Sequence, residues 1–400
     1  MLSICASVLV MLPGIGSSEV EVRLVDGRRV QGAWHGWTEA GAVLHQAGVD
    51  MIVPAEDVLE ITFTGVTPAS PVAGEGNVIV HLAGGGRIAA RLGEESSDGI
   101  AINTPDGEAR VLPLSVVEAV RLAGEGACPD GEAAFTTALH ARRAGEDVLI
   151  ACASGEVRTV GGVLESLGAE TGRFRAGSES RTFRTARMHG VVLAAPLNPQ
   201  DPPGFRIYTR RGWILPGSLS GGGEMLHVRL TEGVSVAVPS AEVTRIEHLN
   251  PRVVYVSDLP RAREQVEGVL LVPRPARNDE NAARGPLRLD GCDFPKGVGM
   301  HARTAVTYAL GGDYEFFFAV VGVDDAAGPG GSVEFRVEAD GKTVYDSGRL
   351  TPSDRAVEVR LSIVGTDALM LICDVADGVD IGDLGNWADA RVIKPSGLRR

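Results

Sequence analysis

Apolar and polar residues alternate along most of the chain, interrupted at short intervals by glycine. Val20-Glu21-Val22-Arg23-Leu24-Val25 alternates, reaches Asp26-Gly27, and resumes from Val30 to Gly32. A period of two turns one face of a strand toward a core, and Asp-Gly between two such runs signals a hairpin. This segment closes at Val53-Pro54 and continues through Ile61-Thr62-Phe63. The same grammar returns three times. A second copy opens at Val78-Ile79-Val80-His81-Leu82, turns at Gly84-Gly85-Gly86, and closes at Leu112-Pro113 through Val120-Arg121-Leu122. A third opens at Val148-Leu149-Ile150, turns at Ser154-Gly155, and ends at Val191-Val192-Leu193. The fourth opens at Phe205-Arg206-Ile207-Tyr208, turns near Arg211-Gly212, and closes at Val238-Pro239 through Ile246-Glu247-His248-Leu249. Units of about 45 residues hold four or five short strands, which predicts a small barrel or a twisted sheet leaning on its neighbour.

The repeats are broken by proline-rich stretches at 67–76 and 196–204, and Gly131 to Ala144 reads as one short helix. From about Pro251 the texture changes. Alternation predicts strands over 305–310, 315–323, 332–339, 343–345, 356–364, 368–375 and 390–393, with Asp340-Gly341 as a hairpin turn. Seven or eight antiparallel strands in about 140 residues make a jelly-roll sandwich. The expected fold class is therefore all-β, with small β-barrel or sheet repeats followed by a β-sandwich. The expected domains are repeats one and two over 19–122, a helical linker over 123–146, repeats three and four over 147–250, and the sandwich over 251–396.

Charge narrows the partners. The chain carries 38 basic against 52 acidic residues, a formal −14, with no Lys/Arg run to track a phosphate backbone, so no nucleic-acid partner is expected. Met1 to Pro13 is apolar but shorter than the about 20 residues needed to span a bilayer, so no transmembrane segment is expected. Followed by Gly16-Ser17-Ser18, it reads as a signal peptide over 1–18, truncated because no Lys or Arg precedes Arg23. Export to the periplasm, the cell envelope or the medium follows. Setting Cys5 aside leaves Cys128, Cys152, Cys292 and Cys373, compatible with an oxidising compartment; a Cys292–Cys373 bridge and four free thiols are both open.

The last part of the chain resembles a known family. Phe294-Pro295-Lys296-Gly297-Val298-Gly299-Met300-His301-Ala302 is followed by Tyr308-Ala309-Leu310-Gly311-Gly312-Asp313-Tyr314, Val321-Gly322-Val323-Asp324-Asp325 and Gly331-Ser332-Val333-Glu334-Phe335. Asp340-Gly341-Lys342, Asp346-Ser347-Gly348 and Trp387-Ala388-Asp389-Ala390 complete the series. Residues 251–395 so resemble the NPCBM/NEW2 family of carbohydrate-binding modules, which implies a galactose-binding-like sandwich and a carbohydrate ligand, such as a galactoside-type glycan. One stretch departs: where the family has Asp-His-Ala-Asp before its tryptophan, this chain has Asp383-Leu384-Gly385-Asn386. In pattern alone, the repeats are similar to Sm-like or SH3-like barrels.

Sugar recognition needs an apolar platform and a few fixed polar groups. Trp387, read as lying in a loop, is the candidate platform, with Asn386, Asp389, His301, Asp324 and Asp325 as candidate polar groups. Each also has a structural reading, Trp387 as a plug of the sandwich and the aspartates as turn caps. Asp377, Asp380 and Asp383 recur at every third residue, an oxygen-rich pattern that suits a structural calcium ion. Trp34 and Trp37 read as caps of a small barrel core, and His45, His81, His140, His189, His227 and His248 as isolated side chains.

Gly297-Val298-Gly299-Met300-His301-Ala302 fits GxGxxA, but a strand rather than a helix is expected after it, which excludes a dinucleotide site. GxSxG, HExxH and P-loop motifs are absent, and the front half lacks the alternation of a (β/α)8 barrel. The expected function is an exported, non-catalytic carbohydrate-binding protein with the repeats as scaffold. Two alternatives stay open: an envelope protein that binds another protein and whose sandwich no longer binds sugar, and an accessory subunit or fragment of a glycoside hydrolase.

Overall fold

The computed structural model describes residues 18–66, 78–104, 109–122, 130–153, 155–196, 202–230, 234–267, 274–377 and 382–397. The expected signal peptide, Cys5, Cys128 and Asp380 lie outside the described residues. The chain divides into two compact units, Met1–Arg23 with Val30–Leu249, and Leu24–Arg29 with Asn250–Arg400.

In the first unit the repeat grammar becomes a repeated fold. The first copy comprises strands Glu19–Leu24, Arg29–Thr38, Gly41–Gln46, Val49–Pro54 and Val58–Phe63. The others follow suit: Val78–Leu82 to Val117–Arg121, Asp147–Ala153 to Met188–Val192, and Phe205–Thr209 to Val243–His248. In each, four strands meander and the fifth returns to pair with the first. A one-turn 3-10 helix separates the fourth strand from the fifth, entered from Pro54, Pro113, Arg184 or Pro239. Proline suits that corner, because its ring fixes φ where the chain leaves the ladder and needs no N–H partner.

The four copies are neither separate barrels nor one simple sheet. Fifth strands pair antiparallel with each other, Ile246 opposite Ile61 and Val120 opposite Val191, so the first repeat joins the fourth and the second joins the third. All four of these side chains have no exposed surface. The helix Gly131–His140 is packed rather than a free linker: Phe135 is buried against Ala119, Ile150 and Val192.

One irregularity shapes the first repeat. Trp34 pairs with Leu44 and Gly36 with Val43, which leaves His35 as the extra residue of a bulge. A regular strand sends residues three apart to opposite faces, whereas the bulge lets both Trp34 and Trp37 turn inward. Trp34 meets Phe63 edge-on at 5.6 Å, and Trp37 meets Phe205 at 4.8 Å.

The second unit is a β-sandwich. One sheet runs Arg277–Asn278, Gly297–His301, Leu384–Ile393, Phe316–Val323, Val357–Ser362, with Val253–Tyr255 also on Leu384–Ile393. The facing sheet runs Arg261–Val266, Thr304–Ala309, Ala368–Val375, Val333–Ala339, Lys342–Leu350. Between them lies a core that includes Tyr308, Phe317, Phe335, Leu371 and Trp387. Leu287–Leu289 and Cys292–Phe294 form a small separate ribbon.

One expectation is corrected here, and one of two open alternatives for the cysteines falls. The closing strand does not begin at Ala390 but spans Leu384–Ile393, so Trp387 lies in the central strand of its sheet and not in a loop. Gly, Asn and Asp are poor strand formers, yet this segment is held on both sides, by Gly297–His301 and by Phe316–Val323. Nor is there a Cys292–Cys373 bridge; both thiols are free, Cys292 exposed on the ribbon and Cys373 buried within the sandwich. Burial pushes the Cys373 thiol up, beyond the range in which it ionises in neutral water.

Candidate functional site

Strand Phe316–Val323 ends in Asp324-Asp325, and the way it ends organises one edge of the sandwich. Asp324 turns the chain locally, its Oδ1 accepting from the Ala326 N–H at 2.9 Å. The same oxygen accepts from Asn281 Nδ2 at 3.0 Å. Its Oδ2 accepts from Asn386 Nδ2 and from the Arg288 N–H at 3.2 Å. One buried carboxylate thus ties the central strand, the ribbon and the loop around Asn281 together. Asn281 is itself 3% exposed; its Oδ1 accepts from the Ala283 and Gly285 N–H groups at 3.0 and 2.8 Å. Sequence reasoning missed Asn281 because its loop carries no period and the carboxylate it donates to, Asp324, lies 43 residues away.

The candidate residues separate into two sets. Trp387 has 0% exposure and meets Phe335 edge-on at 5.2 Å and Phe317 at 6.1 Å. With no surface to offer, it is a core residue and not a platform for a sugar. Asn386 and Asp324 are buried under the same edge, where they position its loops. Asp389 is buried too; it sits at φ +51° where the strand bulges, and its Oδ2 lies 2.5 Å from Arg391 Nη1, whose side chain has no exposure. The Arg391 guanidinium stacks 4.0 Å from the centre of the Phe318 ring. Asp389 thus neutralises a buried cation.

The second set reaches the surface. Asp325 is partly exposed; it accepts from the Gly291 N–H at 2.9 Å and lies 3.5 Å from Arg288 Nε. Arg288 lies 3.6 Å from Asp293, which is exposed. His301, half-buried at the end of its strand, has Nδ1 3.3 Å from the Ala302 carbonyl. The Ala302 N–H donates to the Asp383 carbonyl at 3.0 Å. Charged groups held on fixed backbone turns can address sugar hydroxyls by hydrogen bonds.

The calcium pattern does not converge among the described residues. Asp377 is exposed and lies 3.7 Å from Arg349, whereas Asp383 is buried and accepts from the Ser332 N–H at 2.7 Å. Spacing by three brings side chains together on a helix, but here the residues leave one strand and enter the next.

Comparison with known proteins gives the domain its family. The NPCBM/NEW2 domain profile matches residues 252–393. A Renibacterium salmoninarum protein with the provisional name endo-alpha-N-acetylgalactosaminidase is 28% identical over 141 residues, which is 35% of this chain and 9% of that protein. The chain therefore spans under a tenth of the curated relative it matches. Among solved structures, a CBM51 module from a Clostridium perfringens GH95 protein, in complex with methyl-galactose, is 28% identical, covering 35% of this chain and 99% of that one at a TM-score of 0.32. CBM51-2 in complex with GlcNAc, with INT domains, from Clostridium perfringens ZmpB is 22% identical, covering 42% and 36% at a TM-score of 0.33. Residues 252–393 of this chain are an NPCBM/NEW2 domain, a member of a family of carbohydrate-binding modules.

Proposed function

We propose that the chain is an exported, non-catalytic carbohydrate-binding protein in which the C-terminal sandwich holds a glycan and the four repeats act as scaffold. The observation that carries this reading is the NPCBM/NEW2 match across nearly the whole sandwich. The contact surface in this reading is the edge organised by Asp324, with Asp325, Arg288 and His301 facing the sugar and Asn281 and Asn386 holding the loops beneath. Export agrees with the apolar segment at Met1 to Pro13, and among the described residues no helix is long and apolar enough to cross a membrane. A role beside a glycosidase, as accessory subunit or fragment, agrees with the provisional name of the Renibacterium relative.

A glycan array probed with the full chain tests the proposal. Binding to galactosides or N-acetylhexosamines is expected, with Asp325→Ala and His301→Ala weakening it while the thermal midpoint stays near that of the parent. A blank array on folded protein overturns it. One observation favours a second reading, in which the sandwich has lost its ligand and an envelope protein binds the repeats: with Trp387 in the core, the edge around Asp324 has no tryptophan platform. Capture of a specific envelope protein by residues 18–249, together with a blank array, would establish that alternative.

A further inference from the structure

Taken along the sequence, His35, His45 and Asp50 stand singly with no metal-ligand spacing. The ladder of the first repeat changes that. His45 stands directly opposite Asp50, and Ala33 directly opposite His45, so these positions form a row on the outer face of three consecutive strands. His35 is the extra residue of the bulge between Trp34 and Gly36, which aims its ring at that row. Asp50 Oδ1 lies 2.8 Å from His45 Nδ1 and 3.1 Å from His35 Nδ1. The two imidazoles stack with centroids 5.1 Å apart and planes 23° apart. One donor atom from each of the three side chains lies within 4.8 Å of the other two.

We propose that His35, His45 and Asp50 form a binding site for a divalent transition-metal ion of the zinc class. Two imidazole nitrogens and one carboxylate oxygen are the ligand set of such ions, whereas calcium and magnesium take oxygen. A tetrahedral ion bound at 2.0–2.1 Å sets its ligand atoms about 3.4 Å apart. The two observed separations, 2.8 and 3.1 Å, are shorter by up to about 0.6 Å, a gap that rotation of exposed side chains closes. The ion would replace the hydrogen bond that now links His45 to Asp50 and take up the close approach of His35 to the same carboxylate oxygen.

The scaffold beneath is rigid. The Gly223 N–H donates to the His35 carbonyl at 2.9 Å, and a Cβ on Gly36 would lie 2.7 Å from Gly222 Cα. Trp34 and Trp37 anchor the bulge from inside. The ligands themselves are open to solvent, with side-chain exposures of 44%, 41% and 55% for His35, His45 and Asp50. Three protein ligands with an open position describe a site that completes its shell with water or with a donor from another molecule.

Titration calorimetry of the untagged full chain, stripped with chelator and then given zinc chloride, tests the site. One ion per chain is expected, with a rise in thermal midpoint on binding. His45→Ala and Asp50→Asn should each weaken zinc at least about tenfold, and His35→Ala/His45→Ala should abolish it. All three sites are exposed, so the metal-free midpoints should match the parent. Calcium chloride should give no heat at the same concentrations. Unchanged zinc affinity and stoichiometry in the double variant, or no zinc binding by the folded parent, would overturn the proposal.

Discussion

Trp387 and Asp389 stand two residues apart in a stretch that looks like a ligand loop, and both turn inward. The indole fills the core between Phe335 and Phe317, while Asp389 offsets the buried Arg391. Trp387→Ala is therefore expected to lower the unfolding free energy by about 3–5 kcal/mol, and Asp389→Ala by a similar about 3–5 kcal/mol through an unpaired buried charge. Asp325→Ala, at the partly exposed edge, is expected to stay within about 0.5 kcal/mol of the parent. Denaturant titration of the three variants checks this; full stability in Trp387→Ala with loss of glycan binding would return the indole to the surface. Histidines report the same physics through pH. Burial lowers the imidazoles of His81 and His248 below their ordinary value; the second is stacked on Phe205 at 4.6 Å with its Nδ1 3.0 Å from the Val58 carbonyl. The unfolded chain then binds more protons below about pH 6.5, so this contribution is complete above that pH and is lost as pH falls through the folded-state values. The urea midpoint should drop between about pH 7.5 and 5.5, and drop less in His248→Gln. A midpoint that rises over that interval contradicts this.

At the scale of elements, alternation and turn residues were legible and departures from alternation were not. Hairpins at Asp26-Gly27 and Asp340-Gly341, the Val-Pro and Leu-Pro closures of the repeats, and the helix at Gly131 all stand where their residues place them. The bulge at His35 and the strand from Leu384 through Trp387 do not announce themselves, because each is imposed by partners on neighbouring strands. Gly41 shows how tight such pairing is. At φ +137° its added Cβ would lie 2.0 Å from the Val53 carbonyl, whereas Gly48, at φ +84°, faces open space. Gly48→Ala is expected to cost about 1–2 kcal/mol from the left-handed backbone alone, and Gly41→Ala distinctly more. Equal thermal midpoints for the two variants would show that the third strand can shift away from the fourth.

Across the molecule, the unexpected feature is the order in which the repeats associate. The fifth strand of the first repeat finds its partner in the fourth, nearly two hundred residues on, with Glu60 opposite Glu247 and Arg245 Nη1 3.1 Å from Glu60. Removing residues 204–249 would leave Val58–Phe63 as an open strand edge bearing Ile61 and Phe63. Such edges pair with other chains. The shortened protein is expected to dimerise or aggregate in size-exclusion chromatography with light scattering; a stable monomer would mean that the first repeat closes its own edge.

Sequence alone determined the all-β class, the four-fold repetition, and a C-terminal sandwich of the NPCBM/NEW2 kind, because these depend on local periodicity and on motifs that survive as written. It also marked Asp324-Asp325 and His301 at strand ends. Only the tertiary structure decided which candidates face solvent: burial depends on partners far away in the chain, and Asn281, Asn386 and Asp324 meet only when strands and loops pack. The convergence of His35, His45 and Asp50 was likewise invisible until strand register and a single bulge brought three unrelated positions onto one face.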